Sequence, residues 1–123
     1  MATKKSNALE ALLSADPNVQ ENVPIKRLGV DFVISAVDQD TFEAAQEEAT
    51  YAGEVNQKEL NNLLIAKSCI EPDFNNEALL KKYGAAEASD CVNKALKFGE
   101  IATLAQKILE LSGFDTTLDQ AKK

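Results

Sequence analysis

Paired acidic residues are the side chains in this sequence whose type and spacing best suit chemistry. Asp38 and Asp40 stand two positions apart, and Glu47 and Glu48 are adjacent. Two carboxylates can share the acid and base roles of glycoside hydrolysis, or they can hold a Mg²⁺ ion. Both pairs also have a structural explanation, because acids favour the positive end of a helix and adjacent side chains diverge around a helix surface. We therefore expect helix caps and solvated surface at these positions.

The run from Asp38 to Asp40 also begins like a calcium-binding loop, but the rest of such a loop does not follow. Glu43 occupies the sixth position, where that loop needs glycine, and Ala49 occupies the twelfth, where it needs a bidentate glutamate. The five glycines are scattered and form no phosphate-binding motif. The sequence predicts neither a calcium site nor a nucleotide site.

The sequence contains no histidine, so the commonest general base and the commonest metal ligand are both missing. A Ser-His-Asp triad and a Cys/His zinc site are therefore excluded within one chain. The two cysteines, Cys69 and Cys91, lie far apart on the apolar faces of predicted helices, where we expect buried free thiols. We predict no catalytic residue, no metal ligand and no cofactor, and we expect that the protein is not an enzyme.

Composition and charge point to one soluble domain. The chain has 123 residues, of which 45% are apolar, and its 13 basic and 20 acidic residues give a formal charge of -7. Such a charge repels nucleic acid and anionic lipid surfaces. No apolar run is long enough for a membrane span and none resembles a signal peptide, so a cytosolic location is expected. We predict a single domain over residues 1–123, with frayed ends at 1–6 and 116–123.

The N-terminal part of the chain changes from helical to strand-like spacing. Asn7 and Glu10 form a capping-box pattern that predicts a short helix from Ala8 to Ser14. Apolar residues then alternate over residues 23–37, which predicts a β-hairpin with its turn at Gly29. Because an isolated hairpin is marginally stable, it is expected to pack on helices or to pair with another strand.

The rest of the sequence predicts about five short helices joined by short connections. These are a helix entered at Asp40 and stopped by Gly53, a core helix from Asn56 to Ile70 closed by Pro72, a brief helix capped by Asn75 or Asn76 and ended by Gly84, a helix from Ala88 broken by Gly99, and a helix over Ile101 to Leu109 ended by Gly113. The predicted fold class is α+β, mainly α, with the hairpin followed by a compact bundle of these helices.

The apolar faces of the three C-terminal helices are expected to pack mostly against one another. Aromatic residues beside the glycine breaks are the exception, because aromatic side chains are enriched at the centres of protein interfaces. The candidate partner-contact residues are Tyr83, Phe98 and Phe114.

The order and spacing of several short segments resemble the XkdN-like tail assembly chaperones of long-tailed bacteriophages and phage-like prophage elements. The segments are Val23-Pro24-Ile25-Lys26-Arg27-Leu28-Gly29, Asp31-Phe32-Val33-Ile34, the acidic helix Phe42 to Thr50, Ile70-Glu71-Pro72-Asp73, Leu79 to Gly84, and Gly99-Glu100 to Asp115.

The resemblance implies a small protein of the bacterial host cytoplasm that is absent from the mature virion. It implies that the chain binds the tape measure protein and keeps it soluble while tail tube protein subunits polymerise around it. Members of such families are often made in two forms, so a frameshifted longer form of the chain is a further implied partner. The family supplies no catalytic residue.

An alternative hypothesis from a different class is a structural virion component of the neck or tail, of the head-tail connector type. Connectors are also small, acidic and partly helical. The two hypotheses differ in one observable: a chaperone is missing from purified particles, whereas a connector is present in fixed copy number.

Overall fold

The computed structural model describes residues 8–15 and 19–113. Within these residues the chain forms six helices and five strands and is mainly helical, which confirms the α+β class. In chain order the elements are α1 (Ala8–Ser14), β1 (Gln20–Ile25), β2 (Val30–Ser35), α2 (Gln39–Glu48), β3 (Thr50–Tyr51), β4 (Glu54–Val55), α3 (Gln57–Ser68), β5 (Cys69–Glu71), α4 (Glu77–Tyr83), α5 (Ala88–Ala95) and α6 (Phe98–Leu111).

The predicted hairpin is present as the antiparallel pair β1 and β2, over residues 20–35. Val23 pairs with Phe32 in register, and Gly29 has a φ of 70° in the turn. Val23, Ile25, Phe32 and Ile34 point to one face, where they are buried, whereas Val30 at the start of β2 is exposed. The alternation thus marked the buried face of the sheet.

A third strand, β5, pairs antiparallel with β2 and gives the sheet order β1-β2-β5. The prediction that the core helix continues to Ile70 was therefore wrong, because α3 ends at Ser68. Residues 69–71 instead satisfy the backbone groups along the free edge of β2. Cys69 accordingly lies in a strand, and the side chain of Ile70 is exposed.

A small second hairpin follows α2. Gly53 was predicted to stop that helix, but α2 already ends at Glu48, and Gly53 lies in the turn between β3 and β4. Ala52 and Gly53 have φ values of 54° and 83°. Positive φ at both central residues is what a type I′ hairpin turn requires. The sequence analysis assigned this glycine to a helix end instead.

The acidic pair Asp38 and Asp40 belongs to the start of α2. The Asp38 side chain caps the helix by accepting the Thr41 N–H at 2.8 Å, and Asp40 lies in the first turn. Hydrogen bonding by the Thr41 side chain, together with this backbone bond, lowers the pKa of the Asp38 carboxyl below its usual value. The predicted entry at Asp40 was two residues late, but the expectation of a structural cap is confirmed.

The cap predictions further along the chain are confirmed at four helix ends. Asn56 caps α3, Asn76 caps α4, and Gly84 ends α4 in the left-handed conformation with a φ of 61°. Gly113 follows α6 with a φ of 98°. Each of these signals acts within one turn of the residue that carries it.

The prediction that Gly99 breaks the helix that begins at Ala88 was wrong. Helix α5 ends at Ala95, and Gly99 lies inside the first turn of α6. The Glu100 carboxylate accepts the Lys97 N–H at 2.8 Å, which fixes the start of α6 at Phe98.

Helix α3 is central to the core. It packs against α2, α5 and α6, and the side chains of Leu64 and Ile65 are fully buried. Cys69 and Cys91 are buried free cysteines, as predicted. Burial raises the pKa of the Cys69 thiol to about 12, so this thiol stays protonated at neutral pH.

Candidate functional site

An apolar groove opens where α3, α5 and α6 meet. We call it the Phe98 groove. It has a volume of about 260 Å³ and is lined by Lys58, Asn61, Asn93, Leu96, Phe98, Ile101 and Ala102. The apolar residues come from the end of α5 and the start of α6, whereas the polar residues come from α3 and α5. The groove thus has an apolar wall and a polar wall.

Phe98 is the most exposed large apolar side chain among the described residues, with an exposed fraction of 84%. It is the first residue of α6, and the first buried residue of α6 is Ile101, about one turn later. An aromatic side chain left in water at a fixed helix end loses hydrophobic stabilisation that a partner can restore.

The hairpin turn holds the junction of α5 and α6 in place beside this groove. The Arg27 guanidinium makes two contacts of 2.8 Å with the Glu100 carboxylate and also donates to the Ala95 carbonyl at 3.2 Å. The bidentate contact with Arg27 lowers the pKa of Glu100. Phe98 therefore lies at a helix start that is anchored to the hairpin turn.

A polar cleft of about 520 Å³ lies next to the groove and shares Lys58 and Asn93 with it. We call it the Asn62 cleft. Its other lining residues are Tyr51, Asn56, Glu59, Asn62, Ala86, Glu87, Ser89 and Asp90. The two cavities are adjacent, and apolar surface lies in the Phe98 groove and polar surface in the Asn62 cleft.

The three predicted contact residues lie in different situations. Phe98 lines the groove, but Tyr83 is half-buried and packs against the main core, with the Lys82 amine 5.8 Å from its ring centroid. Phe114 lies outside the described residues. Sequence reasoning missed Lys58, Asn61 and Asn93, whose polar side chains read as ordinary solvated helix surface.

A second exposed apolar surface lies on α1. Leu9, Leu12 and Leu13 have exposed fractions of 66%, 77% and 75%, and no residue of α1 is buried.

Over residues 8–15 and 19–113 no group of acids and cysteines has the arrangement of a metal site. No helix in these ranges combines the length and apolar character that crossing a membrane requires.

The arrangement is suited to binding. The acidic pair at the start of α2 serves as helix cap and first-turn acid, and both cysteines are buried. The two adjacent cavities combine apolar surface with hydrogen-bonding side chains. Such a combination is typical of a surface that receives a segment of another protein.

Comparison with known proteins gives a family and a fold. The family model described as phage XkdN-like tail assembly chaperone protein matches residues 9–123. The crystal structure of the protein yqbn, a structural genomics target, is similar with a TM-score of 0.68 and 19% sequence identity. The likeness covers 88% of this chain and 96% of that chain, and at this identity it concerns the fold alone. No curated protein matches the chain.

Proposed function

Because this chain belongs to the phage XkdN-like tail assembly chaperone family, we propose that it binds the tape measure protein and keeps it soluble until the tail tube forms around it. The family match carries this proposal, since it spans residues 9–123. In the proposed role the chain also helps to recruit tail tube protein subunits. It acts in the host cytoplasm and leaves before the virion is complete.

The Phe98 groove supports the proposal physically. A tape measure protein is built from long amphipathic helical segments, which expose apolar faces until the tube encloses them. An amphipathic helix binds by laying its apolar face into an apolar groove. Phe98, with an exposed fraction of 84%, offers such a helix an aromatic contact on an anchored helix start.

The net charge also suits a chaperone of an aggregation-prone protein. A formal charge of -7 makes each complex of the chain with an apolar client repel other such complexes.

Tyr83 and Phe114 are proposed as contact residues together with Phe98. A frameshifted longer form of the chain is a proposed partner in the recruitment of tail tube subunits.

Co-expression with the tape measure protein of the same phage tests the proposal. We expect the chain to bring the tape measure protein into the soluble fraction and to co-purify with it. Phe98→Ala should weaken binding about tenfold or more, as expected for a central aromatic contact. Ile70→Ala removes an exposed apolar side chain from β5, which lines neither the groove nor the polar cleft, and should bind as the wild type does.

A tape measure protein that stays insoluble beside abundant wild-type chain would overturn the proposal. Mass spectrometry of purified particles separates the proposal from the connector hypothesis. A chaperone is expected to be missing from particles, and a fixed copy number in them would instead favour a structural component.

A further inference from the structure

The Asn62 cleft contains a buried acceptor that has no hydrogen-bond partner. Asn62 has an exposed fraction of 3%, and its Nδ2 donates a long bond of 3.4 Å to Asn93 Oδ1. Asn62 Oδ1 has no partner within the described part of the chain. An unpaired buried acceptor destabilises the folded state. An apolar side chain would avoid this cost at a purely structural position.

Both amides line the cleft, so a group bound there is next to them. The Asn62 oxygen is itself out of contact with solvent. The amide can turn about its terminal bond and exchange its oxygen with its nitrogen, because the long bond to Asn93 restrains it only weakly. The turn brings the oxygen to the side of Asn93, which lines the cleft, and there a donor can reach it. The missing partner is thus a hydrogen-bond donor that enters from the cleft.

The charges around the cleft favour a cation as that donor. Three carboxylates line it, those of Glu59, Glu87 and Asp90, against one basic side chain, that of Lys58. Asp90 already pairs with Lys94 at 3.2 Å and accepts the Ala86 N–H. The carboxylates of Glu59 and Glu87 make no ion pair with any described residue.

We propose that the Asn62 cleft receives an arginine or lysine side chain of the bound client, while the Phe98 groove receives an apolar side chain of the same client helix. The inference rests on the proposed chaperone function and specifies what the client segment looks like. An arginine guanidinium has five donors and suits two carboxylates and an amide oxygen together. Side chains three or four positions apart on a helix are neighbours, so one amphipathic helix can fill both cavities.

The test uses the segment of the tape measure protein that the wild-type chain protects from protease. The double variant Glu59→Gln and Glu87→Gln should weaken binding of this segment about tenfold, the factor that corresponds to about 1.4 kcal/mol. The dependence of its binding on salt should also be smaller than that of the wild type. The matched control Glu47→Gln with Glu110→Gln changes the net charge equally outside both cavities and should bind as the wild type does.

A second variant, Asn62→Leu, separates binding from stability. It removes the unpaired acceptor, so the melting temperature of the free protein should rise while client binding weakens. A purely structural asparagine predicts no such opposite change. If the glutamine double variant or Asn62→Leu binds the segment as tightly as its control, this inference is overturned and the chaperone function stands. If the wild type binds no tape measure segment, both are overturned.

Discussion

The first and last described helices, α1 and α6, both carry apolar residues at helical spacing, yet α1 buries none of its side chains and α6 buries four. Helix α1 has seven residues, which is too short for stability in isolation, and all of its side chains are exposed. Helix α6 has 14 residues and packs against α3, β1 and β2. Apolar spacing therefore predicted that both segments are helical, but it did not predict which one belongs to the core.

The difference between the two helices comes from contacts that are distant in sequence. Helix α6 is tied to the hairpin turn by the Arg27–Glu100 ion pair at its start. At its end Ser112 Oγ accepts the Val37 N–H at 2.8 Å. These contacts join α6 to segments more than 70 residues earlier, and the sequence of α6 alone does not predict them.

The largest expected effect of this difference is on core stability. Leu104→Ala removes a fully buried side chain from α6 and should lower the free energy of unfolding by about 2–5 kcal/mol. The same change in α1, Leu12→Ala, should alter it by less than about 0.5 kcal/mol, because that side chain is 77% exposed. Urea unfolding of both variants measures the two values. Equal losses would contradict the contrast between the helices.

Much of the fold was predictable because its signals are local. Asn56 and Asn76 cap helices through side-chain bonds within three residues of themselves. Gly84 and Gly113 end helices with positive φ, and the apolar alternation around Gly29 marks a hairpin. Each of these features depends on residues within about one turn of helix or one strand pair.

The missed features all depend on where distant segments meet. Residues 69–71 form a strand because β2 offers a free edge. No residue pattern between Asn56 and Pro72 indicates this pairing. Of the residues that line the Phe98 groove, the sequence analysis identified only Phe98 itself. The other lining residues come from α3, α5 and α6, and the groove exists only because these three helices pack together.

A smaller effect is expected from the ion pair that anchors α6. The pairing with Arg27 holds the pKa of Glu100 below its unfolded value, so the pair stabilises the folded state above about pH 4.3, the ordinary value for glutamate. This contribution is lost as the pH falls through the lowered pKa of the folded state. It should be smaller than the loss caused by Leu104→Ala, because the pair is partly exposed.

Comparing the wild type with Glu100→Gln isolates this contribution from the other carboxylates. The difference in unfolding free energy should be largest near neutral pH and shrink toward zero below about pH 4. Unfolding curves at several pH values measure it. A difference that stays constant with pH would mean that the Glu100 charge does not anchor α6.

The smallest expected effect is on α1, and it tests the comparison from the other side. Replacing Leu9, Leu12 and Leu13 together by glutamine keeps good helix formers at each position and removes the exposed apolar face. Because these leucines bury little surface, the free energy of unfolding should change by less than about 0.5 kcal/mol. The denaturant dependence should also stay the same, since it reports the surface exposed on unfolding. A loss above about 1 kcal/mol with a lower denaturant dependence would mean that the α1 leucines are packed in the free protein, and α1 would then belong with α6 in the core.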